Sequence, residues 1–472
     1  MAFISGAERN APMLLPAMVD DYVAADATVR VIDAFVGSLD LHKLGFERAA
    51  PARTGRPGYD PAMLLKLYIY GYLNNLRSSR RLEKACSINL ETIWLTGALT
   101  PDFKTIADFR RDNPTGIVGA CRAFVQFCRK MGLFAQAIAT IDGTKLRAAA
   151  SRRKIMTKAE VASDIVALDS RIGAYLTAMD AADETETDET DAARTKPALK
   201  ALEKLKAQRA NLMELHDTMV SDDRERGVLG EPEARPMGAG TGAKPPSYNV
   251  QIAVDPATHM IVHHDVTTEA TDNRLLYQTA RRTKAVLGTD TLQAIADAGY
   301  ANAGDAAKCE ADGIEAAVPA PRPANKRGDY YTADAFKYDA ETDSMTCPAG
   351  RKLLRNGGSE RDRERRYRAA DCSGCELKQY CTDAARRYVH RHVDHAAMER
   401  MAQRVEAGDG LMKLRRSTVE HPFATLKEYL GRRFLLRGTL KAGTETALAV
   451  LGYNIGRAIG IFGCKVLIEA LA

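Results

Sequence analysis

The sequence lacks three features that would each assign it to a class of protein. No secretory signal is visible, because residues 1–6 are short and uncharged and the next apolar stretch contains Asp20 and Asp21. Arg457, Lys465 and four glycines interrupt the apolar residues 447–472, which therefore predict a buried or packing helix rather than a membrane span. A strong net charge is also missing, and the value of +6 allows nucleic-acid binding without requiring it.

The length and composition indicate a globular protein with more than one domain. A chain of 472 residues is too long for one ordinary core, so two to four domains are expected. Hydrophobic residues make up 45% and charged residues 27%, as in soluble proteins. Nine cysteines without a secretory signal indicate a reducing compartment, where free thiols or metal ligands are expected rather than disulfides.

Three acidic residues occupy positions typical of a metal-dependent nuclease. Asp142 and Asp297 each end an apolar run, so each is predicted at the end of a strand, while Glu420 is predicted on a helix. Gly143 and Gly299 lie beside the aspartates and let a phosphate backbone come close. Carboxylates are the ligands that Mg²⁺ prefers, and two such ions can activate water and stabilise a leaving oxygen. Either aspartate alone is more simply explained as a turn or capping residue, and the set favours catalysis.

Residues 51–131 predict a helical DNA-binding domain. Asp60-Pro61 is a good N-cap and first helical position, and apolar residues recur at helical spacing after it. A basic helix follows at residues 79–85, which is typical of a helix-turn-helix-like unit that reaches phosphates. The alternative is a helical dimerisation or packing module with a solvated basic face. The phosphate-binding candidates are Arg77, Arg80 and Arg81.

The order of elements in the rest of the chain predicts an α/β fold with an RNase H-like catalytic core, a mixed five-stranded sheet with helices. In that fold the first and fourth strands are neighbours, which would bring Asp142 and Asp297 together. The predicted segments are an N-terminal arm and helix (1–50), the helical domain (51–131), the first parts of the core (132–147 and 246–321), an inserted helical hairpin with an acidic loop (148–245), a basic insertion with four cysteines (322–395) and C-terminal helices with Glu420 (396–472).

The third acidic residue lies in a distinctive pattern. Arg416, Glu420 and Lys427 are spaced so that they project to one face of a helix. Glu420 would complete a metal site while Arg416 and Lys427 bind phosphates on either side. Pro422 predicts a kink or a restart of the helix. The alternative is a weak Arg416–Glu420 surface ion pair.

Four cysteines form a separate cluster in the sequence. Cys372 and Cys375 make a Cys-x₂-Cys knuckle, with Cys347 before it and Cys381 after it. Four thiolates in a reducing compartment predict a tetrahedral structural zinc site in a small ribbon-like insertion, and four unmetallated thiols are the alternative. The insertion is basic and would hold DNA beside the active site.

Together these motifs resemble those of bacterial insertion-sequence transposases of the DDE class. The similar branch has a third acidic residue in a Tyr-x₂-Arg-x₃-Glu-x₆-Lys motif, which Arg416, Glu420 and Lys427 match while Lys413 replaces the tyrosine. The first and second acidic motifs of the family are similar to residues 142–144 and 296–300. Residues 56–61 and 105–111 resemble its helical N-terminal domain, and the likeness runs from about residue 20 to residue 465.

The resemblance implies a DNA transposase that binds the terminal inverted repeats of its element, cleaves there and joins the freed 3′-hydroxyl to target DNA. It implies two Mg²⁺ or Mn²⁺ ions held by Asp142, Asp297 and Glu420, with Lys145 as a weaker phosphate-binding candidate. Double-stranded DNA is the implied partner, bound by a homodimer at the nucleoid of a bacterial cytoplasm. The alternatives are a non-catalytic, sequence-specific DNA-binding remnant and a structure-specific nuclease that cuts without joining.

Overall fold

A computed structural model describes residues 18–50, 58–183, 192–238, 242–321 and 330–472. The predicted arm up to residue 17, residues 56–57 of the N-terminal motif, residues 184–191 of the acidic loop and the start of the basic insertion at 322–329 lie outside these ranges. The chain forms two compact units. The first contains Met1–Phe124, Leu426–Arg432 and Gly443–Ala472, and the second contains Val125–Thr425 and Arg433–Ala442.

The described part of the first unit is built from helices. Asp60 caps α2 as predicted, because its Oδ1 accepts a hydrogen bond from the Ala62 N–H at 2.8 Å and Pro61 takes the first helical position. Tyr68 of α2 lies in the core, where its hydroxyl donates to the Ile106 carbonyl at 2.8 Å. The helices are α1 (Thr28–Gly37), α2 (Pro61–Leu73), α3 (Ser79–Ile88), α4 (Leu90–Thr96), α5 (Phe103–Asp112) and the start of α6 (Pro114–Lys130).

Two C-terminal helices, α13 (Thr439–Phe462) and α14 (Cys464–Leu471), complete the first unit. Most of α13 is buried, and the Cys121 thiol donates to the Ala447 carbonyl at 2.9 Å. These contacts confirm the predicted packing helix. Among the described residues no single helix has the length and hydropathy of a membrane span, and α13 and α14 have them only jointly, across a bend of 108°.

A six-stranded mixed sheet forms the centre of the second unit. β1 (Ile138–Arg147) is antiparallel to β5 (Pro246–Val254) on one side and parallel to β7 (Leu292–Ile295) on the other. β7 is in turn parallel to β8 (Ile314–Ala317), and β6 (Ile261–Thr267) with the short β4 (Arg235–Pro236) lies along the outer edge of β5. The described sheet therefore has five strands of four or more residues, with the two-residue β4 as an addition. The helices α9 (Leu276–Leu287) and α10 (Ala303–Ala311) connect β6, β7 and β8.

A helical hairpin is inserted between β1 and β5, as predicted. It consists of α7 (Lys158–Asp183) and α8 (Ala192–Ser221), and a two-stranded ladder of β2 (Ile155–Thr157) and β3 (Arg226–Val228) closes its base. Val161, Leu215 and Met219 are buried where the helices meet, with Leu168 and Leu212 beside them. The hairpin therefore has a small core of its own.

A second sheet follows the central one along the chain. Part of the insertion that was predicted to be small and ribbon-like forms an antiparallel sheet of five strands. Phe336, Leu353, Tyr367 and Val389 are buried in its core. The strands are β9 (Lys337–Asp339), β10 (Ser344–Thr346), β11 (Lys352–Ser359), β12 (Glu364–Ala369) and β13 (Tyr388–His392), and the helices α11 (His395–Ala407) and α12 (Leu411–Tyr429) come next.

Candidate active site

Asp142 lies in the middle of β1, not at its end as predicted. The ladder with β5 continues to Arg147, so the polar residues after Asp142 remain extended even though the apolar run has stopped. The Asp142 side chain is 19% exposed, and its Oδ1 accepts a hydrogen bond from the Gly143 N–H at 2.8 Å. Burial raises the pKa of the Asp142 carboxyl to about 6, although the Arg415 guanidinium acts in the opposite direction.

Asp297 follows the end of β7, as predicted. Because β7 is parallel to β1 and pairs Ile295 with Thr140, the two aspartates lie at matching positions on neighbouring strands. Asp297 also caps a short 3₁₀ turn, and its Oδ1 accepts a hydrogen bond from the Gly299 N–H at 2.9 Å. Its side chain is 45% exposed, so Asp297 is the more open of the two carboxylates.

Arg415 joins the two aspartates. One guanidinium nitrogen, Nη2, lies 2.7 Å from Asp142 Oδ1 and 3.0 Å from Asp297 Oδ2. The Arg415 side chain is only 15% exposed, so its ion pair with Asp142 is largely shielded from water, whereas the pair with Asp297 is open on the carboxylate side. No sequence motif singled out Arg415, since the motif match selected its neighbour Arg416.

Glu420 is not brought to the aspartates in this structure. It is exposed on α12, whereas Val419 and Phe423 on the inner side of the helix are buried. Glu420 follows Arg415 by five residues, which places it about 140° around an ideal helix from the residue that contacts the aspartates. Pro422 lies within α12 without ending it, so of the two predicted alternatives, a kink or a restart, the restart is wrong.

The remaining residues of the predicted metal and phosphate motif are spread along α12. Arg416 is exposed beside Glu420, and Lys427 is half-buried in the part of the helix that belongs to the first unit. Across the described ranges, no three His, Cys, Asp or Glu side chains are arranged to hold a metal ion. The geometry therefore brings together two of the three predicted acids.

A buried polar network lies beside Asp142. Asp272 accepts hydrogen bonds from Lys145 Nζ at 2.9 Å and from the side-chain amides of Asn249 and Gln251 at 2.8 Å each. The Tyr300 hydroxyl donates a hydrogen bond to Gln251 Oε1 and is the last member of this network. The predicted phosphate ligand Lys145 is thus paired with a carboxylate.

The network was missed in the sequence, although a signal was present. Asn249 and Gln251 alternate along β5, so both point to one face of an otherwise apolar strand. Asp272 lies in the segment before α9, which begins at Leu276. Polar residues at alternate positions of a buried strand indicate a network that must be satisfied internally.

Gly143 is the point at which the network approaches the first aspartate. A Cβ atom at this position would lie 2.7 Å from Asp272 Oδ1 and nearer still to Gln251 Nε2. Gln251 is also the residue paired with Gly143 across the two strands. The glycine is therefore required for close packing of side chains.

The three arginines of the helical unit have different surroundings. Arg77 is directed inward, where it donates to the Leu430 carbonyl and lies 3.9 Å from the buried Glu445 carboxylate. Arg80 and Arg81 are exposed on α3, and the Arg80 guanidinium lies over the Phe103 ring at 4.9 Å. Two of the three predicted phosphate ligands are therefore accessible.

The four clustered cysteines line one small cavity of about 30 Å³ next to the second sheet. Arg351 donates its backbone N–H to the Cys347 Sγ at 3.3 Å, and burial raises the pKa of the Cys381 thiol. The four side chains line the same cavity. Among the described residues, however, no group of three or more His, Cys, Asp or Glu side chains, these four included, is arranged to hold a metal ion. The cavity is lined by Cys347, Cys372, Cys375 and Cys381.

Comparisons with known families match two parts of the chain. The family described as "Transposase domain (DUF772)" matches residues 17–112, and the family described as "Transposase DDE domain" matches residues 346–459. The second match contains Glu420 and the four cysteines, while Asp142 and Asp297 lie between the two matches. A search of the curated proteins and a search of the solved structures gave no match.

Both matched families are transposase families, and they occur in the order that the sequence motifs predict. The first covers the helices of the N-terminal region, and the second covers the region of the third acidic motif. The DDE domain is the domain of a metal-dependent family of DNA-cleaving enzymes. The two family matches therefore support the resemblance to insertion-sequence transposases of the DDE class.

Proposed function

We propose that this transposase binds the terminal inverted repeats of its own element, hydrolyses a phosphodiester bond there and joins the freed 3′-hydroxyl to target DNA. The observation that carries the proposal is the convergence of Asp142 and Asp297 on one cationic nitrogen. Two carboxylates on neighbouring strands that already share one cation are suited to share a divalent ion.

Asp142, Asp297 and Glu420 are the proposed ligands of two Mg²⁺ or Mn²⁺ ions. The donor set fits, because Mg²⁺ is usually held by one or two protein carboxylates together with water and substrate phosphates. When bound, the two ions would lower the pKa of the attacking hydroxyl and stabilise the departing oxygen. Since Glu420 is exposed on α12, we propose that it joins the aspartates when DNA is bound.

The proposed core is RNase H-like. β1 and β7 are the first and fourth strands of the predicted core, and their parallel pairing is the feature that this fold uses to bring two acids together. The antiparallel pairing of β1, β5 and β6 and the parallel addition of β8 agree with a mixed five-stranded core. This order supports the assignment of Asp142 and Asp297 as the first two catalytic acids.

The helical unit is the proposed site of end recognition. Arg80 and Arg81 project from α3 into solvent, where phosphate contacts would release counterions from DNA. Arg416 lies on the exposed face of α12 together with Glu420, and it is proposed to neutralise phosphate charge near the reacting bond. Two element ends must be held together for transfer, so we propose a dimer on DNA.

The cysteine cluster is a proposed structural zinc site, which would brace the second sheet. The proposal rests on the shared cavity and on the softness of thiolate ligands, which suits Zn²⁺. Metal analysis of the purified protein tests it, with Cys375→Ser as the variant and Cys464→Ser as the control. A wild-type protein without zinc would leave the four residues as free thiols.

Strand cleavage tests the central proposal. Purified protein is mixed with labelled DNA that carries the element's flanking repeats, in Mg²⁺ and in EDTA. We expect nicking at the repeat boundary only in Mg²⁺, and none from Asp297→Ala or Glu420→Gln, although both variants still bind the DNA. Asp265→Ala is the matched control, since Asp265 lies on β6 and pairs with Arg282.

The outcomes separate the three candidate activities. Binding without cleavage in any metal would identify a non-catalytic DNA-binding protein. Cleavage without joining of the 3′-end to target DNA would identify a structure-specific nuclease. Loss of DNA binding in all acidic variants would assign Asp297 and Glu420 a structural role instead.

A further inference from the structure

The Arg415 guanidinium lies between Asp142 and Asp297, at the position that a metal ion bound by both aspartates would take. A single nitrogen, Nη2, contacts Asp142 Oδ1 at 2.7 Å and Asp297 Oδ2 at 3.0 Å. Without a cation at this point, the two carboxylates on adjacent strands would repel each other, and the repulsion would be strongest at Asp142, which is the less exposed. The guanidinium therefore holds the pair together in the metal-free protein.

The same place cannot hold a guanidinium and a metal ion at once. A divalent ion held by both carboxylates would need the space between them that Nη2 now fills. Its binding at this point therefore requires the Arg415 side chain to move away. Binding of the ion and the two ion pairs of Arg415 are mutually exclusive.

Arg415 is also incompletely bonded where it lies. Its Nε is buried and has no hydrogen-bond partner among the described residues. An unmade hydrogen bond of a buried donor is unfavourable, and the donor recovers it when the side chain moves into water. The position of Arg415 therefore depends on the two aspartates, and the side chain gains a contact by leaving once a better cation replaces it.

We propose that Arg415 is a positioning residue that occupies the metal position of the free protein and leaves it when a divalent ion binds. The proposal rests on the assignment of Asp142 and Asp297 as metal ligands. Since Arg415 lies on α12, the same helix as Arg416 and Glu420, its release changes the restraints on that helix. Metal binding and the arrangement of the third acidic motif are thereby coupled.

Mn²⁺ binding by the full-length chain tests this proposal, with the free ion measured by electron paramagnetic resonance. Arg415→Gln removes the competing cation, and we expect it to bind Mn²⁺ about three- to tenfold more tightly than the wild type. Arg415→Lys keeps a cation without the planar fork and is expected to lie between them. Lys413→Gln, which removes an exposed cation from the same helix, is the control and should bind as the wild type does.

Thermal unfolding in EDTA supplies a second measurement that does not depend on metal. The melting temperature of Arg415→Gln should fall by about 2–4 °C relative to Lys413→Gln, because the two aspartates lose their shared cation. An unchanged melting temperature together with unchanged Mn²⁺ affinity would overturn the proposal. Weaker Mn²⁺ binding by Arg415→Gln would also overturn it, since Arg415 would then assist the ion.

Asp297→Asn separates this proposal from the proposed function. If Asp297→Asn binds Mn²⁺ as tightly as the wild type, the ion binds elsewhere and the assignment of the metal ligands fails. In that case the melting temperatures in EDTA still decide whether Arg415 holds the two aspartates together. If Asp297→Asn loses Mn²⁺ binding, the affinities of the Arg415 variants decide whether the arginine competes with the ion.

Discussion

Asp142 is a carboxylate that the fold shields from water beside a single arginine. Asp142 pairs with Ile252 of β5 in the central sheet, and Arg415 compensates only part of the cost of charging the buried carboxyl there. A residue in such a place is poorly suited to stabilise the free protein. It is suited to receive a positive ligand, because the ligand offsets the cost of the charge.

The free energy of unfolding should therefore depend on pH through Asp142. An unfolded aspartate has a pKa of about 4, and the folded carboxyl has a pKa of about 6, so the folded state binds more protons between these values. Stability from this group is present below pH 4 and is lost as the pH rises through 6. Relative to Asp142→Asn, the wild type should lose about 2–3 kcal/mol between pH 4 and pH 7. Urea unfolding in EDTA measures this, and a difference that is constant with pH would contradict it.

Gly143→Ala tests the close packing beside the first aspartate. The added methyl group meets Asp272 and Gln251, and shifting a satisfied buried network should cost about 1–3 kcal/mol in the free energy of unfolding. Gly173→Ala is the matched control, because Gly173 lies within α7 with open space around it. This variant should raise the free energy of unfolding by up to about 1 kcal/mol. Equal unfolding midpoints for the two variants would show that the network tolerates the methyl group.

At the scale of elements, the orientation of α3 and of α12 determines which of their charged side chains are exposed and which contact other residues. On α3, Leu82 and Cys86 face the core while Arg80 and Arg81 face water. On α12, Arg415 reaches the aspartates whereas Glu420 is exposed. Helical periodicity in the sequence predicted both helices, but it could not decide which residue of α12 faces the sheet.

Arg80→Ala together with Arg81→Ala should weaken DNA binding and flatten its salt dependence. The slope of log K against log salt should fall by about one unit for each lost phosphate contact. Arg111→Ala is the control, since the guanidinium of Arg111 is paired with Asp108 and Asp112. A binding isotherm series in increasing salt measures the slopes, and an unchanged slope in the double variant would move the DNA-binding surface elsewhere.

Much of the sheet and of the helical unit could be predicted from sequence periodicity, and the errors have physical causes. The strand around Asp142 was predicted too short because Thr144 and Lys145 are polar, yet pairing with β5 extends it regardless. Asp272 was missed because its role depends on partners from a distant strand. Asp297 was placed correctly, because the end of a short parallel strand coincides with the end of its apolar run.

At the scale of the whole molecule, the two ends of the chain contribute to the same unit. α14 packs on α1, and α13 supplies buried residues beside α6. The helical unit therefore depends on residues that follow the third acidic motif. A helical domain ending at residue 131 would lack part of its core.

Deletion of residues 443–472 should unfold the N-terminal helices and abolish end binding. The loss of a buried helix that includes Ala447 and Leu451 removes more apolar contact than a marginally stable unit tolerates. Hydrogen exchange measures this, and we expect α2 to lose protection while β1 and β5 keep theirs. A deletion within the α7–α8 hairpin is the control, and it should leave α2 protected; protection of α2 in the C-terminal deletion would refute the dependence.

The inserted hairpin bears on the order in which the protein folds. β1 and β5 are joined by a connection of roughly a hundred residues, and the entropy of closing such a loop must be lost before the strands pair. β2 and β3 pair at the base of α7 and α8, whose local core forms from residues closer in sequence. Folding of the hairpin first shortens the effective loop, so the strand that carries Asp142 acquires its neighbour late. The nascent chain can thus complete the α7–α8 hairpin during synthesis, well before the central sheet exists.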